Sequence, residues 1–328
     1  MARVSPLVAS PKSETQNSLL PSIVRRPLLA LLVLCACALP VQAAADEGKP
    51  RGLWFWSKPT SPDGSVNILG HPAREAEALA TFARWRIRRL YGSYAQLLVE
   101  SPATVAAWNQ KLAAAGIRSE ALFSDGKFLV PANRDTFLAA TAGRILAFNT
   151  TCATPAARFA GLALDIEPHA QPAWKTATPT AKRALLEDYL AACTALRAYL
   201  DAHGGRDLAI SAALAYWLDR LPPEGSVGWT SAADRDDWFT RLARSVASIS
   251  LMAYERPRPA AILDAAAWEL AHFPGRTVIA LRARLGVEWK SLADLTAVLP
   301  VVEADQLTGI DLENYELLRA AERATASP

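Results

Sequence analysis

Short strand-like runs alternate with helical patterns eight times in this chain, and no other feature of the sequence constrains its fold as tightly. The runs fall at 52–56, 86–91, 117–123, 161–167, 208–217, 248–254, 277–282 and 309–313. Helical periodicity follows each of them, at about 72–86, 102–115, 133–148, 179–202, 232–247, 259–272, 291–301 and then from 314 onward. Ser101-Pro102 and Thr178-Pro179 supply N-cap and first-turn signals, and Gly116 and Gly204-Gly205 supply stops. A unit of roughly 30 residues is what two parallel strands and a crossover helix require. Eight such units predict an α/β fold closed as a (β/α)8 TIM barrel, a single domain over residues 51–328. An open doubly wound sheet is the competitor. It usually carries a glycine-rich phosphate turn after its first strand, where this chain has Ser57-Lys58-Pro59.

The N-terminus reads as a targeting segment. Arg25-Arg26 precede an apolar run at 27–39, and Val41-Gln42-Ala43 supplies a small-residue cleavage site, so residues 1–43 are expected to be a secretory signal peptide. The apolar run is short for a bilayer span. A retained anchor and a lipoprotein reading through Leu34-Cys35-Ala36-Cys37 are the alternatives. Residues 44–50 are expected to be a disordered lead-in, and the mature protein to be exported, periplasmic or extracellular, with no stable membrane insertion. Arg3, Lys12, Arg25, Arg26 and Glu14 leave with the signal, so 35 basic and 32 acidic side chains become 31 of each. A balanced chain gives no electrostatic footprint for nucleic acid.

Cys152 and Cys193 survive that cleavage and could pair in an oxidising compartment, but two cysteines do not make a disulfide scaffold. His71, His169, His203 and His272 show no ligand spacing, so neither a metal nor a cofactor is expected. His169 reads as a loop residue.

The fourth strand carries the chemistry. In Gly161-Leu162-Ala163-Leu164-Asp165-Ile166-Glu167-Pro168 the leucines and isoleucine share one face, and Gly161, Ala163, Asp165 and Glu167 the other. Two carboxylates on a barrel's inner face, at the C-terminal end of a strand, stand where such barrels place catalytic groups. The same alternation sends Trp54, Trp56, Tyr91, Trp217, Tyr254, Arg282, Asp311 and Glu313 inward from other strands, with Glu255 at the loop start. Aromatic faces beside carboxylates suit a sugar, and the chain has ten tryptophans to draw on. Trp85, Trp108 and Trp268 fall within helices and read as packing residues.

Asp165-Ile166-Glu167 resembles the end of the DxxDxDxE motif of glycoside hydrolase family 18, the chitinase type. Ser250-Leu251-Met252-Ala253-Tyr254-Glu255 resembles that family's MxYD element. The resemblance implies substrate-assisted retention, an exception to the two-carboxylate scheme. Glu167 would protonate the glycosidic oxygen and later activate water. Asp165 would orient a 2-acetamido group, and Tyr254 would hydrogen-bond its oxygen. Trp56, Tyr91, Trp217, Arg282, Asp311 and Glu313 would bind the sugar. Two acids about 6–7 Å apart along one strand face raise one another's pKa, which helps keep Glu167 protonated. Ala160 and Ala163 replace the motif's first two aspartates, Glu255 replaces its last, and strand eight carries Asp311-Leu312-Glu313 in place of a tryptophan. These departures imply a divergent branch and bear on the N-acetyl requirement.

The expected function is therefore a secreted glycoside hydrolase acting on a polysaccharide or amino-sugar glycan. Three alternatives stay open. Glu167 could work with Glu313 or Asp311 as an inverting pair. The barrel could bind carbohydrate without turnover, or Asp165 and Glu167 could simply pair with Arg282. Glu167-Pro168 also resembles the acid/base of the large retaining barrel clan. There Ile166 replaces an asparagine, and Arg282 stands where the nucleophile would end strand seven.

Overall fold

A computed structural model describes residues 49–94, 96–304 and 308–326. The expected signal peptide, 1–43, and residues 44–48 of the lead-in lie outside the described residues. Among the described residues eight strands pair in chain order, all parallel, and the eighth closes on the first: β1 Arg51–Phe55, β2 Ile87–Gly92, β3 Arg118–Phe123, β4 Gly161–Leu164, β5 Ala209–Ala215, β6 Ser248–Met252, β7 Thr277–Arg282 and β8 Ile310–Glu313. The chain is a (β/α)8 TIM barrel.

The principal crossover helices are α1 Pro72–Arg84, α2 Pro102–Ala114, α3 Arg144–Thr151, α4 Pro179–Ala202, α5 Ala232–Ser245, α6 Pro259–His272, α7 Leu292–Ala304 and α8 Tyr315–Ala326. Thr178 caps α4 by accepting from the Ala181 N–H at 3.2 Å, and Ser231 caps α5 by accepting from Asp234 at 3.1 Å. The single helix expected over 133–148 is instead three pieces: a short helix Arg134–Leu138, a π turn Ala139–Gly143, then α3. Gly143 lies so close to the Tyr199 hydroxyl of α4 that a Cβ there would stand 2.9 Å from it. Among the described residues no helix is long and apolar enough to cross a membrane.

The core lies between sheet and helices. Leu53, Phe55, Leu90, Leu162, Ile249 and Leu251 point outward from the strands into it. One aromatic cluster joins Phe55 to Phe82 of α1, Trp108 of α2 and Tyr315 of α8. Cys152 and Cys193 are both buried free thiols.

The barrel interior, usually filled by branched apolar side chains, is polar below the mouth. Asp311 of β8 is wholly buried and accepts from Arg89 at 2.8 Å, Tyr91 at 3.0 Å and Ser250 at 2.6 Å, which ties β8 to β2 and β6. Gly52 makes room for this contact: a Cβ there would lie 1.9 Å from the Asp311 carboxyl. Lower still, Glu120 accepts from Ser211 at 2.7 Å, and Ser248 donates to Ser211 at 2.9 Å. This floor overturns two expectations. Tyr91 and Asp311 do face inward, but both are wholly buried one layer beneath the cavity and do not line it. Inward direction follows from strand alternation; depth does not, because it depends on strand tilt and stagger.

Candidate active site

A cavity of about 480 Å³ opens at the C-terminal ends of the strands. The structure brings Trp56, Asp165, Glu167, Trp217, Tyr254, Arg282 and Glu313 together around it. β4 ends at Leu164, shorter than the 161–167 run, but the Asp165 N–H still donates to the Phe123 carbonyl at 2.8 Å. That bond holds the chain in register for one residue beyond the strand. Glu167 follows in extended backbone, and Pro168 opens a 3₁₀ turn that carries His169.

The Asp165 and Glu167 carboxyls interact directly, each shifting the other's proton affinity. Burial, with the charges of Glu167 and Glu313 behind it, pushes Asp165 up to about 8. Burial also raises Glu167 above the usual carboxylate range, while the Asp165 contact and Arg282 pull it back. Glu313 is pushed up to about 7, chiefly by burial, with Arg282 opposing. The contact with Asp165 lowers Glu167, contrary to the expected mutual raising, so the proton that the pair keeps at neutral pH rests on Asp165 and reaches Glu167 by sharing.

Arg282 is not the partner of Asp165 or Glu167. Its guanidinium bonds to Glu288 at 2.7 Å, reaches Glu255 at 3.3 Å and Glu313 at 3.8 Å, and lies 4.5 Å over the Tyr254 ring. The reading in which the two acids merely neutralise Arg282 has no geometric support. The Glu313 Oε2 atom is buried and has no hydrogen-bond partner among the described residues.

Aromatic rings wall the cavity. Trp54 and Trp56 stack with centroids 6.3 Å apart and planes inclined by 19°, and Trp217 rests against Trp174 at 6.0 Å. These faces suit the C–H surface of a pyranose, with carboxyl and hydroxyl groups between them to bond its hydroxyls. Tyr254 is half-buried, and burial raises its phenol well above the ordinary value, so it stays a donor.

Four contributors, His169, Tyr216, Arg256 and Glu288, were not legible as site residues, whereas Trp217 and Glu255 were. His169, expected as a loop residue, puts Nε2 3.5 Å from Glu167 and sets its ring edge-on to Trp217 at 5.4 Å; burial holds it below the usual histidine range. Tyr216 and Trp217 both line the cavity because β5 ends at Ala215, where strand alternation stops applying. Glu255 adopts φ 62° and turns the chain, so that its side chain meets Arg282 from the rim and Arg256 enters the lining. Glu288, which holds Arg282, comes from the loop after β7, where no periodicity guides a reading. Among the described residues no group of three or more His, Cys, Asp or Glu could hold a metal ion.

No family model matches the chain, and no curated protein does. Solved structures similar to it are chitinases and related glycoside hydrolases with TIM-barrel folds. The PgaB (BpsB) glycoside hydrolase domain from Bordetella bronchiseptica is 13% identical with a TM-score of 0.50, the match covering 85% of this chain and 97% of that one. A chitinase from Chromobacterium violaceum ATCC 12472 is 12% identical with a TM-score of 0.47, over 86% of this chain and 100% of that one. Identities this low show the barrel fold alone.

Proposed function

We propose that this chain is an exported glycoside hydrolase that cleaves a polysaccharide or amino-sugar glycan by acid/base catalysis at the barrel mouth. One observation carries the reading: Asp165 and Glu167, interacting and raised in pKa by burial, line one cavity with Trp54, Trp56 and Trp217 at the C-terminal end of β4. Glu167 is the acid that protonates the leaving oxygen and then, deprotonated, the base that activates water. Asp165 holds a 2-acetamido group for attack on the anomeric carbon, and Tyr254 donates to the oxygen of that group as charge develops. His169, neutral and beside Glu167, fixes the orientation of its carboxyl.

The two-carboxylate reading has one observation of its own. Glu313 lines the same cavity with a buried oxygen that accepts no hydrogen bond among the described residues and has Arg282 at 3.8 Å, and it is close enough to Glu167 for their charges to interact. It would serve as the base for water in an inverting reaction.

Hydrolysis is to be measured with the mature protein and Glu167→Gln on a panel of β-linked glycans, following product anomers by NMR. Loss of about 10²–10⁴-fold in the variant, retention of configuration and dependence on the 2-acetamido group are expected. Inversion moves the base role to Glu313. Glycan binding without turnover by the unaltered protein sinks the enzyme reading.

A further inference from the structure

Arg256 lies in the cavity wall, yet nothing in the reaction above uses it. Its guanidinium stacks on the Tyr216 ring, 4.0 Å from the centroid, and Arg220 lies over the same ring at 5.3 Å. The Arg256 Nε atom is buried and has no hydrogen-bond partner among the described residues. Among the described residues no carboxylate lies within ion-pairing distance of it, whereas Arg282 in the same cavity reaches three. A guanidinium pre-oriented by an aromatic face loses little freedom on binding, and its planar fork matches an oxyanion group bidentately. An unpaired cation with a desolvated N–H in a substrate cavity is costly unless a ligand meets it.

We infer that Arg256, clamped on Tyr216, forms a subsite for an anionic substituent of the glycan, a carboxylate or a sulfate ester carried on the sugar next to the one held by Asp165 and Glu167. The substrate class narrows to acidic glycans. This deepens the glycosidase reading and rests on it only for the identity of the cavity as the glycan site. Arg220, over the same ring, adds positive potential without lining the cavity.

The test separates binding from turnover by using the Glu167→Gln protein. Three hexasaccharides are titrated calorimetrically: one alternating N-acetylhexosamine with a uronic acid, the same chain with its carboxylates reduced to alcohols, and the reduced chain carrying 6-O-sulfate. An anionic chain is expected to bind about tenfold or more tightly than the reduced one, an advantage that shrinks with added salt. Comparing uronate with sulfate identifies the anion. The advantage is expected to vanish when Arg256→Gln is added, and to be partly kept by Arg256→Lys, which retains the charge but not the fork. Absent or equal binding of the anionic chains overturns the inference, and so does an advantage that survives Arg256→Gln. If the anionic advantage is found while the unaltered protein cleaves no glycan, the glycosidase reading fails and the anion subsite stands. Cleavage of neutral glycans without that advantage is the reverse result.

Discussion

At the residue scale the site is a problem of shared protons. Asp165, Glu167 and Glu313 crowd one half-buried cavity, and each negative charge makes the next proton harder to remove. Glu313→Gln removes one of those charges, so the pKa of Asp165 must fall, and the pair loses its proton at lower pH. The alkaline limb of the kcat/KM profile should therefore move toward acid, by up to about one pH unit. A profile recorded for both proteins checks this, and a shift toward base would contradict the electrostatic account. The acids were legible because a run of small residues ending in Asp165 and Glu167 makes no sense as barrel filling. Tyr254, Arg282 and Glu313 followed from alternation on other strands. Where the backbone leaves the strand, legibility stopped: Tyr216, Arg256 and Glu288 owe their positions to turns whose geometry no two-residue period encodes. Alternation gives Tyr91 and Asp311 their inward direction but not their depth.

At the scale of elements, two buried glutamates on neighbouring helices have opposite consequences. Glu303, near the end of α7, bridges Arg51 of β1 at 2.5 Å and Arg86, before β2, at 2.8 Å, and so helps close the barrel seam. Gly309 serves the same seam: its φ is 84°, and a Cβ there would stand 1.9 Å from the Pro50 carbonyl. Replacing Glu303 by Met strands two arginines and should cost about 3–5 kcal/mol. Glu269 on α6 is wholly buried, and neither carboxyl oxygen has a hydrogen-bond partner among the described residues. Burial, with the Asp219 charge adding to it, raises its pKa well above the ordinary value, so the group folds as an unpaired neutral acid. Glu269→Met keeps the volume and removes the desolvated polar group, and should stabilise by about 1–3 kcal/mol. Urea titrations of both variants check the pair of signs. Neither role could be read from the sequence, where both glutamates look like ordinary helix formers. The eight strand–helix units could be, because each strand is short, apolar on its outer face and bounded by turn residues.

Over the whole molecule these local shifts sum to a pH dependence with a definite sign. Asp165, Glu167, Glu313, Glu120, Asp219, Glu269 and Glu288 are all raised, burial leading in each. Glu187 is lowered by arginine contacts, Asp234 by the Thr230 backbone N–H and Arg183, and Glu322 by the Trp85 indole N–H with Arg319 and Arg84, each outweighing what burial takes away. A raised acid keeps its proton in the folded state at a pH where the unfolded chain has lost it. Its contribution is fully present below the unfolded pKa, near 4, and is lost as pH rises through the folded value, about 7 for Glu313 and about 8 for Asp165. The lowered acids act the other way, but only on the acid side of that window. The thermal midpoint should therefore be highest on the mildly acidic side and fall steadily toward pH 8. Asp165→Asn takes Asp165, the carboxyl pushed up to about 8, out of that sum. Its midpoint should match the unaltered protein near pH 4 and exceed it by about 2–4 °C at pH 8, while glycan cleavage is lost. Melting curves of the two proteins across that range decide it. A constant offset at every pH would mean that Asp165 affects stability through packing, and a midpoint lower at pH 8 would mean that its charge is paired in the fold. Either result would remove the protonated carboxyl pair on which the catalytic reading depends.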